Sequence, residues 1–294
     1  MATMSHWVHG ARPRTLPAAV APVLIGTGAA AQIDGASIPR ALLALLVALA
    51  LQVGVNYAND YSDGIRGTDS SERRVGPVRL VGQGLATPSQ VKLAAFGCFG
   101  VAALAGLLLL LWLSGAWLLL ALGAASILAA GFYTGGRRPY GYLGLGEVFV
   151  FVFFGLVATL GTTYTQALTL TGAAWAGAIG VGALSCAILM ANNLRDIPGD
   201  ISAGKHTLAV RLGDVAARYV YAALLAVAVQ CVFIAGHTTL WALWALPAFA
   251  LAIRPLRALI AGAKGADLIP VLSGTGALTL VYAVLLAGGL ALGG

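Results

Sequence analysis

Charge is scarce in this sequence, in which Asp, Glu, Lys and Arg make up only 9% of 294 residues, against about 25% in an ordinary soluble domain. Cysteine is scarce too: there are three, none at CxxC spacing, so neither a disulfide framework nor a zinc site is indicated. The polar breaks are too short to hold a separate soluble domain. These absences exclude a soluble globular protein.

Hydrophobic residues make up 60% of the chain, and the mean hydropathy is +0.90. Apolar runs of about 20 residues, each long enough to cross the ~30 Å hydrocarbon core as a helix, recur along the sequence. They predict an all-α integral membrane protein with nine transmembrane helices in a single domain, residues 1–294. The predicted spans are 15–33, 38–58, 91–112, 114–134, 144–164, 170–192, 216–236, 238–261 and 268–292. The first run contains Pro17 and Pro22 and leads straight into the next, which favours a mature helix over a cleaved signal peptide.

The basic residues predict the orientation. If the N-terminus is cytoplasmic, only Arg40 of the 17 Lys and Arg residues falls on the outer face, as the positive-inside bias requires. We therefore expect a multi-pass protein of the cell membrane whose long loops, 59–90 and 193–215, face the cytoplasm together with the active site. The net charge is +7, and the basic residues are spread over several loops on one membrane face, a pattern that favours topology and anionic lipid over a nucleic-acid surface.

The acidic residues collect at two places on the predicted inner face. In the stretch NYANDYSDGIRGTD, Asn56, Asp60 and Asp63 recur at i, i+4 and i+7, so a helical continuation of the second span would place their oxygens on one side. Carboxylates this close repel one another unless a cation lies among them. Hard oxygen ligands of this kind suit Mg²⁺ far better than zinc.

The sixth span ends in a second array, in which Asn192, Asp196 and Asp200 again step by four. Pro198 is predicted to end or kink the helix and to leave Asp200 at its mouth. Two acidic clusters flanked by Arg and Lys are suited to hold Mg²⁺ ions that bridge a diphosphate. The alternative is that these are ordinary solvated charges at helix ends.

These arrays resemble the two aspartate-rich motifs of the UbiA-type intramembrane prenyltransferases. Asn59-x-x-x-Asp63 followed by Asp69 is similar to the first motif, and Asn192-x-x-x-Asp196-x-x-x-Asp200 to the second. The resemblance covers essentially the whole chain. Within the family it is greatest to the branch that prenylates 1,4-dihydroxy-2-naphthoate, through the segments ARPRTLPAAVAPVLIGT, GPVRLVGQGL, FYTGGRRPYGYLGLGEVFVFVFFG and NNLRDIPGDISAGKHTLAVRLG.

The resemblance implies a Mg²⁺-dependent enzyme of menaquinone biosynthesis. It would transfer a polyprenyl chain from polyprenyl diphosphate to 1,4-dihydroxy-2-naphthoate, with loss of CO₂ and diphosphate, to give demethylmenaquinone. The implied metal ligands are Asp60, Asp63, Asp69, Asp196 and Asp200. The implied diphosphate contacts are Asn59, Asn192, Arg66, Arg137, Arg138, Arg195 and Lys205. The implied catalytic residues are Asp63, Asp196, Lys205 and Tyr133.

Several further roles keep a plainer alternative. The π face of Tyr133 would stabilise an allylic cation, yet an interfacial tyrosine also anchors a helix in the membrane. Arg12 and Arg14 would bind the acceptor carboxylate or serve only as positive-inside anchors. For His9 and His206 the choice is between accepting the naphthol proton and simple solvation. Four phenylalanines of the fifth span are predicted either to line a groove for the prenyl tail or to pack between helices. They are Phe149, Phe151, Phe153 and Phe154.

Three other functions compete with this hypothesis. A transporter would carry charges near the middle of the bilayer, whereas the predicted mid-span regions carry none. The CDP-alcohol phosphotransferases also use aspartates and Mg²⁺, but their single DGx₂AR-type array is absent from the sequence. Transfer to another acceptor, such as 4-hydroxybenzoate or haem, stays open because the acceptor pocket cannot be inferred from one sequence.

Overall fold

A computed structural model describes residues 2–67, 78–113 and 116–294. The described chain is helical and contains no β-strand. A short helix α1 (Met4–Gly10) precedes α2 (Pro17–Ala31), α3 (Ile38–Ile65), α4 (Pro88–Leu110) and α5 (Trp117–Phe132). After these come α6 (Gly146–Ala167), α7 (Gly172–Ser202), α8 (Leu208–Gly236), α9 (Leu240–Ile260) and α10 (Gly265–Leu292).

Seven of these helices, in the part of the chain that the structure describes, are long and apolar enough to cross a membrane: α3, α4 and α6 to α10. The other two long apolar segments are shorter, with 15 residues in α2 and 16 in α5. At about 1.5 Å per residue, α2 and α5 reach only about 22 to 24 Å, less than the ~30 Å hydrocarbon core. An all-helical, multi-pass membrane protein is confirmed.

The helices α3 and α7 continue further than the sequence-based spans. We expected α3 to end near residue 58 and α7 near residue 192, with loops from there, but they run to Ile65 and Ser202. Pro198 was predicted to end or kink its helix. It does not end the helix, because α7 passes through it and continues for another turn; a kink at Pro198 stays a prediction. Both acidic arrays therefore lie on the last turns of helices.

Helix α7 forms the centre of the bundle and is buried along most of its length, whereas α3 buries far less of its surface. Small residues let the neighbouring helices approach closely. Gly28 of α2 lies against the backbone of Ala287, and Gly177 of α7 faces Ile25, so a Cβ at either glycine would meet atoms at 2.5 Å or less. Close backbone approach at small residues is how membrane helices gain packing energy.

One end of the bundle collects the polar parts of the chain. The last turn of α3, the last turn of α7 and the 133–145 connection between α5 and α6 meet there, because the side chains of Asp63, Tyr142 and Lys205 bond to one another. The N-terminus of α4 is on the same side and begins with a capping box between Thr87 and Gln90. This arrangement brings together segments far apart in the sequence.

Candidate active site

A cavity of about 950 Å³ opens among α2 to α7 and continues into the bundle. Its polar residues gather at the end where α3 and α7 stop. Most of the predicted site residues are among them, with several that the sequence did not single out. The polar lining includes His9, Arg12, Arg14, Asn56, Asn59, Asp63, Arg79, Tyr133, Tyr140, Tyr142, Asn192, Asn193, Arg195, Asp196, Asp200 and Lys205.

Asp63 is the point at which the two acidic helix ends meet. Lys205, which follows α7, places its Nζ 3.1 Å from Asp63 Oδ1, and Tyr142 donates its hydroxyl to the same oxygen at 2.5 Å. Arg79 lies 3.9 Å from the other carboxylate oxygen. Asp63 and Lys205 are both buried, so each charge depends on the other for compensation.

Lys205 is held by more than its ion pair. Its backbone N–H donates to the carbonyl oxygen of Asp200 at 2.8 Å, and its ammonium lies 4.5 Å from the ring centre of Tyr142. Thr207 adds a hydrogen bond from its hydroxyl to Asp200 Oδ2 at 3.4 Å. The turn after α7 thus fixes a cation between the two arrays, and an ammonium over a tyrosine face is favourable.

Asp196 is compensated by its neighbour in the sequence. Arg195 forms a two-pronged contact with Asp196, from Nε at 2.8 Å and Nη2 at 2.7 Å. The same Nη2 donates to Asn192 Oδ1 at 2.7 Å. A guanidinium in this position can be redirected to an incoming phosphate, since planar two-pronged binding suits carboxylates and phosphates alike.

Asp60 performs a structural task in this arrangement. Its carboxylate accepts the backbone N–H groups of Leu80 at 2.8 Å and of Val81 at 2.9 Å, and it does not line the cavity. It thereby attaches the segment before α4 to the end of α3. Asn59 does line the cavity and accepts the hydroxyl of Thr134 at 2.8 Å.

The donor chemistry of the cavity suits Mg²⁺. Asp63, Asp196 and Asp200 share the cavity with the amides of Asn59 and Asn192, and such hard oxygen donors favour this cation. Within the described residues, however, no three His, Cys, Asp or Glu side chains stand close enough to enclose a metal. Asp69, the remaining predicted ligand, lies outside the described residues. The residue types therefore fit the metal, while Lys205 and Arg195 compensate two of the carboxylates.

The predicted cationic contacts divide into two groups. Lys205, Arg195, Arg12 and Arg14 line the cavity. Arg66 instead donates to the carbonyl oxygens of Thr134 and Gly136. Arg137 and Arg138 are exposed and outside the lining, so a role on diphosphate stays a prediction for them. The two histidines also differ, since His9 lines the cavity and His206 does not.

Tyr133 lies in the cavity as part of an aromatic group. Its ring meets Tyr140 edge-on at 5.4 Å, and Tyr140 stacks on Phe149 at 3.8 Å. Gly141 makes this packing feasible, because a Cβ there would come within 2.7 Å of the Tyr133 carbonyl oxygen. Burial, reinforced by the nearby Glu147 carboxylate, raises the pKa of Tyr133, and burial also raises the pKa of Tyr140. Both phenols therefore stay neutral near pH 7.

An apolar arm of the cavity extends from the polar end along α3. Between Asp63 and Ala44, both in the lining, the helix rises by about 28 Å. Of the four predicted groove residues, Phe149, Phe153 and Phe154 line the cavity, whereas Phe151 packs on Gly182. The arm proper is formed by Ala44, Val47, Ala48, Leu51, Ala102, Ala103, Gly106, Leu107, Leu110, Leu119, Leu122, Gly123 and Ile127.

Sequence reasoning missed two contacts of Asp63. Tyr142 lies in a stretch that carried the family resemblance, but no spacing connects it with Asp63, 79 residues earlier. Arg79 was counted only as a topology charge, although it lies buried beside the carboxylate. Its place in GPVRLVGQGL was a signal that could have marked it for attention.

Comparisons with known proteins found relatives in sequence and solved structures of the same fold. Residues 19–267 match the family model described as the UbiA prenyltransferase family. The chain is 57% identical to the 1,4-dihydroxy-2-naphthoate octaprenyltransferase of Mycobacterium tuberculosis over 100% of this chain and 99% of that one. The chain is 52% identical to the protein of the same name from Mycobacterium leprae, over 100% of this chain and 99% of that one. The solved structure of a UbiA homolog from Archaeoglobus fulgidus bound to DMAPP and Mg²⁺ shares the fold, with a TM-score of 0.60, 15% identity and coverage of 96% and 99%.

Proposed function

Because the chain belongs to the UbiA prenyltransferase family, we infer that it prenylates 1,4-dihydroxy-2-naphthoate with a polyprenyl diphosphate in menaquinone biosynthesis. CO₂ and diphosphate leave, and the immediate product is the reduced, dihydroxynaphthalene form of demethylmenaquinone. The full-length similarity to two 1,4-dihydroxy-2-naphthoate octaprenyltransferases supports this acceptor. The observation that carries the proposal is the ion pair of Asp63 and Lys205, which joins the two acidic helix ends inside one cavity with an apolar arm.

The reaction balances without an oxidant or reductant. The allylic C–O bond of the donor breaks, and its electron pair leaves with diphosphate. A ring carbon of the electron-rich naphthoate supplies the pair for the new C–C bond. The carboxylate departs as CO₂ and leaves its bonding pair on the ring, which keeps the product aromatic.

The chain's own residues would hold the departing diphosphate. Lys205, Arg195 and Arg79 line the polar end, and moving from carboxylate to phosphate lets them follow the charge as it develops. Asn59 and Asn192 would orient the phosphate oxygens. Mg²⁺, held by Asp63, Asp196 and Asp200 with Asp69 as the further candidate, would neutralise leaving-group charge when bound. Asp60 would support the loop and leave the metal to the other acids.

The reacting carbon of the donor would lie beside the aromatic side chains that line the cavity. An ordinary tyrosine is already neutral near pH 7, and burial raises the pKa of Tyr133 further, so its ring would offer a π face without a competing phenolate nucleophile. Beyond it the apolar arm would take the prenyl tail and bury it against small residues of α4 and α5.

We also propose a topology. The single domain 1–294 would cross the cell membrane nine times, with α2 and α5 tilted or flanked by thinned lipid where they are too short to span alone. The N-terminus and the polar end of the cavity would face the cytoplasm. In intact cells, Asp34→Cys should react with an impermeant thiol reagent, and Ser202→Cys only after permeabilisation. The reverse pattern would invert the orientation.

Direct assay tests the function. Purified protein in nanodiscs is incubated with Mg²⁺, a polyprenyl diphosphate and either 1,4-dihydroxy-2-naphthoate or 4-hydroxybenzoate, and the products are separated by chromatography. We expect a prenylated naphthol, with labelled CO₂ released from carboxyl-labelled naphthoate. Prenylation of 4-hydroxybenzoate alone would reassign the acceptor, and no transfer to either acceptor would contradict the proposed function.

A further inference from the structure

Glu147 is a buried acid that the mechanism above does not use. It lies in the first turn of α6 and is buried. Its Oε1 accepts the side-chain amide of Asn193 at 3.0 Å, and within the described part of the chain its Oε2 has no hydrogen-bond partner. An ionisable side chain in an apolar bundle is costly and marks a functional site by default.

The carboxylate fixes the orientation of Asn193. The side-chain Nδ2 of Asn193 donates to Glu147 Oε1, and an amide group has one donating and one accepting end. Because Glu147 holds Nδ2, Oδ1 is directed to the other side. Asn193 lines the cavity, so the end left for a ligand is a hydrogen-bond acceptor.

A wall of aromatic rings borders this corner of the cavity. Tyr140 stacks on Phe149 with 19° between the ring planes, and Phe149 is followed by Phe153 at 6.0 Å and 28°. Tyr133 closes the wall edge-on. Four aromatic side chains that line one cavity offer broad contact to a flat ring, in offset-stacked or edge-on geometry.

The wall and Asn193 border the same region. A Cβ built at Gly146, next to Glu147, would lie 3.4 Å from the hydroxyl of Tyr133 and 3.3 Å from Leu189. Leu189 and Asn193 are four residues apart in α7 and so share one helix face. Glu147 thus stands behind both the polar acceptor and the ring that ends the wall.

We propose that this corner binds the aromatic acceptor, with its ring against the wall and a ring hydroxyl donating to Asn193 Oδ1. Glu147 is a positioning residue that keeps the amide oxygen turned toward the substrate. The inference rests on the proposed function and names the place of that reaction's acceptor. Arg12 and Arg14 can bind the acceptor carboxylate but only donate hydrogen bonds, so Asn193 supplies the hydroxyl recognition that they lack.

Steady-state kinetics with purified variants in nanodiscs tests the proposal. Glu147→Leu frees Asn193 to rotate and should raise the KM for 1,4-dihydroxy-2-naphthoate about tenfold or more. The KM for the polyprenyl diphosphate should stay within about twofold. Glu147→Gln retains an oxygen that accepts from Asn193, and its KM for the naphthoate should stay within about threefold of the parent value.

Two further variants separate positioning from folding. The double variant Glu147→Leu with Asn193→Leu removes both partners, so no buried group is left unpaired; it should fold and show the same rise in acceptor KM. Gln166→Leu removes a buried polar side chain from the other end of α6, where it contacts Thr27 and Ser37. It should leave the KM for the naphthoate unchanged.

The outcomes distinguish this inference from the proposed function. If the parent enzyme prenylates the naphthoate but Glu147→Leu leaves the acceptor KM unchanged, the corner does not bind the acceptor. Equal increases in the KM of both substrates, or equal defects in the Gln and Leu variants, would also overturn the positioning role. If the parent enzyme does not prenylate the naphthoate at all, the proposed function itself fails.

Discussion

The two acidic helix ends look alike in sequence but are held in place differently. Asp63, on the last turn of α3, is bonded by Tyr142 and Lys205, which lie 79 and 142 residues further along the chain. Asp196, on the last turns of α7, bonds to Arg195 beside it. The first array therefore depends on the tertiary fold, whereas the second is assembled largely within one helix. Removing an acid from either end should therefore lower turnover similarly, whereas the loss of folding stability should be larger at the first array.

The largest effects are expected from removing these acids. Asp63→Ala and Asp196→Ala should each lower turnover by about 10²-fold or more, because both lose charge stabilisation at the leaving group. Asp63→Ala also leaves the Lys205 ammonium buried beside a missing partner, which should cost about 3 to 5 kcal/mol of stability. Measuring turnover and the thermal unfolding midpoint of both variants tests these two expectations. Equal loss of stability in both would remove the distinction drawn here.

Replacing the basic residues Lys205 and Arg195 should show the same difference in stability between the two arrays, with smaller effects on activity. Lys205→Met and Arg195→Met should each raise the KM for polyprenyl diphosphate about tenfold or more, as expected for a lost contact to a phosphate. Only Lys205→Met should lower the unfolding midpoint clearly, since it leaves the Asp63 carboxylate buried. If combining Asp63→Asn with Lys205→Met gives no recovery of stability, the ion pair is not the cause.

Asp60 is the acid whose structural role can be distinguished from the metal-binding role proposed for Asp63, Asp196 and Asp200. Asp60→Leu leaves the N–H groups of Leu80 and Val81 without their acceptors, at a cost of about 1 to 3 kcal/mol for each buried group. The Mg²⁺ concentration for half-maximal turnover should nevertheless match that of the parent enzyme. A matched Asp200→Leu variant, which lines the cavity, should require more Mg²⁺. A shifted Mg²⁺ requirement in Asp60→Leu would return this residue to the ligand set.

The smallest effect is expected at Arg137. It is exposed and outside the cavity lining, so Arg137→Gln should change turnover and both KM values by less than about twofold. Arg195→Gln, at a cation in the lining, serves as the comparison in the same assay. A loss of tenfold or more in Arg137→Gln would support the role on diphosphate that the sequence predicts.

The sequence contained enough to locate the helices and the site, but not the partners within it. Apolar runs of about 20 residues predict membrane helices because the bilayer sets their length, and four-residue spacing predicts one helical face. Whether Asp60 or Asp63 faces the cavity depends on a loop about 20 residues further on. The pairing of Glu147 with Asn193 joins two helices 46 residues apart. Such contacts arise from tertiary packing and leave no local pattern.

The attachment of the segment before α4 by Asp60 bears on how tightly substrate can bind. Ordering a free loop costs about 1 to 2 kcal/mol of entropy per residue, and a loop that orders only on binding subtracts that amount from affinity. Here the backbone amides of Leu80 and Val81 are already hydrogen-bonded to Asp60, so Arg79 is positioned at the cavity before the donor binds. Preorganisation of this kind speeds a reaction without adding a single contact to the substrate.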